Sequence, residues 1–231
     1  MKKVLSIIAM VLCTLAMSAQ EKEITKFLGI PVDGSKTEMK QKLIEKGFTP
    51  KTIDGMDDFL EGEFNGTNVR VFIATNNNKV WRIMVCDKSS YSEGEIKIRF
   101  NNLCRQFEKN EKYVPADFKL EQTIPDDEDI SYEMLANNKR YQASYCQVLD
   151  KATIDAITVP EDRIRSLLSE LGYDNPTEEQ FKNAMDLGKL SFAYDMTSKK
   201  SVWFMIDEDS DGYSILLYYD NKYNEADGED L

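Results

Sequence analysis

A chain of 231 residues with 41 acidic against 29 basic side chains carries a formal net charge of −12. Such a surface repels nucleic acid and anionic lipid, because binding there depends on basic groups displacing counterions. No histidine is present, which excludes Ser-His-Asp and Cys-His catalytic centres and the usual histidine-containing zinc sites.

The chain begins MKKVLSIIAMVLCTLAMSAQ, with Lys2 and Lys3 before an apolar run from Val4 to Met17 and small residues at Ser18 and Ala19. That is the order of a secretory signal peptide. The run is shorter than the ~20 residues that cross a bilayer, and no basic stop-transfer segment follows it. Cys13 sits behind Leu12 in the middle of the run, so it is not placed as a lipoprotein acceptor. Cleavage after Ala19 is expected, leaving a mature chain of about 212 residues that is secreted or periplasmic and has no membrane span. Loss of two lysines makes that chain still more acidic. It keeps Cys86, Cys104 and Cys146, an odd number that rules out a disulfide scaffold and leaves the fold to a hydrophobic core.

In the segment DGSKTEMKQKLIEKG, Ser35 is placed to cap a helix and Glu38 to reciprocate three residues later. Met39, Leu43 and Ile44 share a face and Gly47 suits the stop. From Phe59 the period changes to two. Phe59 to Phe64, Val69 to Thr75 and Val80 to Cys86 read as strands joined by tight turns at Asn65-Gly66 and Asn76 to Asn78. Ile96, Phe100, Leu103, Cys104 and Phe107 return to helical spacing. Ile130 to Ala136 and Arg140 to Leu149 then read as strands flanking an Asn137-Asn138 turn. A shift of 60 residues lays Asn77-Asn78-Lys79 on Asn137-Asn138-Lys139 and Cys86 on Cys146, the basis of a tandem-repeat reading.

A third block carries a helix on Ile164, Leu167, Leu168 and Leu171, a second from Thr177 to Leu187, and strands at Leu190 to Met196, Ser201 to Ile206 and Tyr213 to Tyr219. The expected fold is therefore α+β, built of successive helix plus antiparallel β-meander units. The corresponding divisions are a signal peptide at 1–19, a helix plus meander at 20–88, a second helix plus strands at 89–151, two helices plus a three-stranded meander at 152–220, and a frayed acidic tail at 221–231.

The stretches LGIPVDGSKTEMKQKLIEKGF, TNNNKVWRIMVCD, IKIRFNNLCRQFEKN, PDDEDISYEM and YYDNKYNEADGEDL resemble a group of secreted Bacteroidetes proteins without an assigned activity. The resemblance implies export and adds no catalytic residue. The Gly-Ser-Lys-Thr-Glu-Met helix start followed by a meander is also similar to the fold of the β-lactamase-inhibitor protein and of small outer-membrane assembly lipoproteins, which are binding proteins rather than enzymes.

Two acidic runs invite a metal reading. In DEDSDG, Asp207, Asp209, Asp211 and Gly212 occupy the first, third, fifth and sixth positions of a calcium loop, but position twelve is Tyr218 and the flanks read as strands. A solvated hairpin turn is expected there, and solvated loop at Asp126 to Asp129. No metal, cofactor or catalytic residue is assigned, and all three cysteines read as structural.

The last hairpin is the most informative feature. With Ile206 set opposite Tyr213, Val202, Phe204, Ile215 and Leu217 share one face, and Trp203, Met205, Leu216 and Tyr218 share the other. Both sets are apolar; one lines the core and the second is covered within the chain or met by a partner. The leading expectation is a secreted, non-enzymatic binding module for a protein or peptide, with Trp203, Met205, Leu216 and Tyr218 as its face. A glycan-associated protein stacking sugars on tyrosine and tryptophan, and a hydrolase using two carboxylates, are the alternatives.

Overall fold

The computed structural model describes residues 22–52, 58–117, 121–226 and 228, so the expected signal peptide lies outside the described residues. The fold is α+β, with helices and one large antiparallel sheet. Contacts divide the chain into two compact units, one made of Ile24–Val148 with Lys199–Leu231 and the other containing Leu149–Ser198.

The larger unit opens with a small hairpin, β1 (Lys26–Phe27) and β2 (Ile30–Pro31), followed by helix α1 (Lys36–Glu45). Strands β3 (Thr49–Lys51), β4 (Phe59–Phe64), β5 (Thr67–Asn76) and β6 (Lys79–Asp87) come next, and then helix α2 (Glu93–Lys109). Strand β7 (Tyr113–Pro115), helix α3 (Ile130–Asn137) and strands β8 (Gln142–Gln147), β9 (Ser201–Asp209) and β10 (Gly212–Asp220) complete it. The eight strands from β3 to β10 form one sheet in the order β3-β4-β5-β6-β10-β9-β8-β7. Helix α1 precedes β3 to β6 directly, whereas the strands after α2 are interrupted by α3 and, between β8 and β9, by the helices of the smaller unit; the two runs meet where β6 pairs with β10. Both edge strands are three residues long and contain a proline, Pro50 and Pro115. Proline lacks the N–H a further strand would bond, so the edges are poor templates for sheet extension.

Local chemistry explains why α1 and α2 start where they do. In α1 the Glu38 N–H donates to Ser35 Oγ at 3.2 Å and the Ser35 N–H donates to Glu38 Oε2 at 3.0 Å, a reciprocal cap. In α2 the Ser92 N–H donates to Glu95 Oε2 at 2.9 Å. The apolar stripe of α2, Ile96, Phe100, Leu103, Cys104 and Phe107, is buried. There the Phe107 ring stacks on Tyr145 at 4.6 Å, and Phe100 meets Phe204 edge-on at 4.9 Å. On the first run of strands, Phe48 lies so close to Gly62 that an added Cβ would sit 2.6 Å from its ring, so only glycine fits that point of β4.

The smaller unit holds α4 (Lys151–Ala156), α5 (Glu161–Glu170) and α6 (Glu178–Ser198). Ile164, Leu167, Leu168 and Ala184 make one small core, and Leu149, Ile157 and Met196 another. Thr177 caps α6, its Oγ1 accepting from the Gln180 N–H at 3.2 Å and its N–H donating to Gln180 Oε1 at 2.9 Å.

Several expectations are corrected. Residues 130–137 form a helix rather than a strand, because Asp129 Oδ1 accepts from the Tyr132 N–H at 2.8 Å and Asn138, at φ 51°, closes the far end in a left-handed turn. Leu190 to Met196 continue α6 rather than forming a strand, since no proline interrupts it and Gly188 is packed within 3.4 Å of Val159 for an added Cβ. The shift of 60 residues lays β6 on β8 and a strand turn on the cap of a helix, whereas the counterpart of β6 in the sheet order is β10. The units expected at 20–88, 89–151 and 152–220 all supply strands to the same sheet. The tail is tied down at its start: Asn221 is 1% exposed and donates from Nδ2 to Val32 O, while Asn224 donates from Nδ2 to Asp33 Oδ1 and Val80 O.

Candidate binding face

The final hairpin closes two residues further on than expected, with Ile206 opposite Ile215 and Tyr213 opposite Glu208. A shift of two preserves which side each residue faces, because side chains alternate with period two. Val202, Phe204, Ile215 and Leu217 accordingly lie in the core, at 0%, 0%, 2% and 4% exposure. Trp203 stands opposite Tyr218 and Met205 opposite Leu216 on the other side of the sheet. Trp203, Met205 and Leu216 are half-buried, and Tyr218 is 9% exposed. The structure therefore brings the four residues together.

Three further apolar residues join them from strands to which no face was assigned. Tyr218 pairs with Met84 and Leu216 with Cys86 across β10 and β6, and Met84 pairs with Phe72 across β6 and β5. Phe72, Met84 and Cys86 are all half-buried. Their signal was in the sequence: β5 and β6 are apolar at successive positions (Val71-Phe72-Ile73 and Ile83-Met84-Val85), as the last hairpin is. The resulting face runs across four central strands. Its middle is apolar, with Arg70, Arg82, Ser214 and Asp220 on the same side and Phe59 of β4 buried 5.4 Å from the Phe72 ring; the described α1 and α2 pack against the opposite side, where the core lies.

A polar knot anchors one end of this face. Arg82, opposite Asp220 in the β6–β10 register, donates to both carboxylate oxygens at 2.6 and 2.8 Å, and the Trp203 indole N–H donates to Asp220 Oδ2 at 2.9 Å. The guanidinium lies 4.2 Å from the Trp81 ring centre and 4.9 Å from that of Tyr218. The Trp203 and Tyr218 rings are stacked, 4.1 Å apart. Burial opposes the charge on Arg82, but the hydrogen bonds and charge of Asp220 outweigh it and hold the guanidinium pKa above its ordinary value. Burial also raises the Tyr218 hydroxyl and the Cys86 thiol, the latter with the added repulsion of Asp87. Cys86 is thus a poor nucleophile.

Other polar groups have structural partners. Asp87 is bonded by Arg99 through both carboxylate oxygens and accepts from the Ile215 N–H at 3.2 Å. The three described cysteines, Cys86, Cys104 and Cys146, are free thiols, and burial pushes Cys104 up to about 11. In the acidic hairpin turn Asp209 Oδ1 accepts the Asp211 N–H at 2.8 Å, and Tyr218 lies in the ladder opposite Trp203. The run Asp126 to Asp129, expected to be solvated loop, is instead used: Asp129 caps α3 and Glu128 accepts from Tyr141 OH and Lys139 Nζ. No described helix is long and apolar enough to cross a membrane. No family model matches the chain, and neither a curated protein nor a solved structure is found to be similar to it.

Proposed function

We propose that this is an exported, non-enzymatic binding module whose open sheet face takes a protein or peptide partner. One observation carries the reading: the central strands carry apolar side chains on both sides of the sheet, and on the side away from α1 and α2 Phe72, Met84, Met205, Leu216 and Trp203 stay half-buried, while Phe59 and Tyr218 are buried. Apolar side chains left partly accessible in this way favour association over solvation. The short, proline-bearing edges direct a partner to the face rather than to strand addition. The leader supports a secreted or periplasmic location. A sugar platform is less well supported, because the Trp203 ring is already stacked on Tyr218 and held by Asp220.

Selection of a displayed random-peptide library on the mature protein tests this reading. The expected result is enrichment of peptides rich in aromatic and aliphatic residues that bind Met205→Glu at least tenfold more weakly. Failure to enrich any sequence, or equal binding to a folded Met205→Glu protein, sinks it.

A further inference from the structure

A second site lies on the helix side of the sheet, away from the open face. A cleft of 310 Å³ opens beside α2, its floor made by Leu103 and Phe107 of the helix and Leu217 and Tyr219 of β10. The Tyr219 hydroxyl is kept from ionising by burial and by the neighbouring Tyr113, with which it is hydrogen-bonded, so the floor stays uncharged. The mouth is different in chemistry. Asn65, in the β4–β5 turn, donates from Nδ2 to Gln106 Oε1 at 2.8 Å, and Asn110 Oδ1 accepts the Lys112 N–H at 3.1 Å. Asn65 and Gln106 are both exposed, and the bond between them leaves Asn65 Oδ1 as an acceptor and Gln106 Nε2 as a donor with no protein partner among the described residues. The lining contains no lysine or arginine and one carboxylate, Glu63.

We infer that this cleft binds a small uncharged amphiphile, with an alkyl or aryl body on the Leu103–Leu217 floor and a hydroxyl head at the Asn65–Gln106 pair. A hydroxyl both donates and accepts, which matches the two free amide atoms. A carboxylate or phosphate head meets no free cation, since Arg99, which lines the adjoining cavity with Asn65 and Gln106, is committed to Asp87, and it is repelled by Glu63, while an apolar body gains from leaving water. A largely apolar pocket with a few convergent polar groups is the usual form of a small-molecule site.

Titration calorimetry with 1-octanol and with sodium octanoate, on the mature protein, tests the assignment. Saturable one-to-one binding of the alcohol is expected, at least tenfold tighter than any binding of octanoate. Gln106→Trp, an exposed position at the mouth, should weaken octanol at least tenfold. Gln106→Glu adds a second carboxylate there and should weaken octanoate further. Absence of saturable octanol binding overturns the proposal, as does octanoate binding as tightly as the alcohol. Octanol affinity unchanged in folded Gln106→Trp also overturns it, since the alcohol then binds elsewhere.

Discussion

The two faces of the sheet are built from the same strands and nearly the same residue types, yet they end in different states. Val71, Ile83, Phe204 and Leu217 are each at most 4% exposed beneath the helices, while their chain neighbours Phe72, Met84, Trp203 and Leu216 are only half-buried. Hydrophobicity made both faces strands; only the stripes of α1 and α2 decided which one became core. The contrast teaches that an apolar face is a statement about packing partners, and the open face still lacks part of its own.

Truncating a residue on the covered face tests that contrast most severely. Phe204 is fully buried and meets Phe100, Phe107 and Tyr145 through its ring. Phe204→Ala should cost about 3–5 kcal/mol in denaturant unfolding, from lost transfer energy plus the cavity left behind. A loss comparable to that of Trp203→Ala would erase the distinction between the faces. On the open face, Trp203→Ala removes a stacked pair and an indole hydrogen bond, for which about 1–2 kcal/mol is expected.

The polar knot gives the next effect. Asp220 is 1% exposed, and Arg82 and Trp203 both donate to it. Asp220→Ala leaves the guanidinium without its counterion, at a cost on the order of 3 kcal/mol, reduced insofar as Arg82 reaches water. The Trp203 ring loses its tether in the same step, so its fluorescence should shift to the red. An unchanged emission spectrum would show that the stack on Tyr218 alone positions the ring.

How much of this was legible follows from the kind of signal each element carries. The caps Ser35 and Glu38, the Asn65-Gly66 turn and the alternation in the last hairpin act through neighbours in sequence, so they could be read directly. The four-residue face was legible for the same reason, and it survived a register error of two residues. Helix α3 was missed because its eight residues bury only Ile130 and show little amphipathic pattern, leaving the Asp129 cap as the deciding signal. The joining of β6 to β10, the Arg82–Asp220 pair and the cleft beside α2 unite residues more than a hundred positions apart. No local period encodes such contacts.

Acid should weaken the helix starts. The Glu38 carboxyl is held below its ordinary value of 4.5 by the Ser35 backbone N–H and then by its hydroxyl, and Glu95 by the Ser92 hydroxyl and then its N–H. A carboxyl whose folded pKa is lowered contributes stability that is fully present above the unfolded pKa and is lost as pH falls through the folded one. The contribution of both caps should therefore fade below about pH 4.5, and Glu38→Gln should flatten the acid limb of the stability profile. An acid limb identical in wild type and Glu38→Gln would show that the Ser35 hydroxyl caps α1 unaided.

The smallest expected change in stability is also the one that bears most on function. Met205 is half-buried opposite Leu216, with Gln142 of β8 on its other side. Glutamate at that point keeps the methylene stem on the sheet while its carboxylate turns to water, as long charged side chains do at apolar borders. Met205→Glu should therefore change unfolding free energy by less than about 1 kcal/mol, close to the range of surface substitutions. For a partner seated on the face, the same change strands a charge in a dry contact and should lower affinity for a selected peptide at least tenfold. Stability and binding thus move independently at this residue if the face is an interface. A stability loss as large as that of Phe204→Ala would instead identify the face as core, covered in the folded protein as thoroughly as the side beneath the helices.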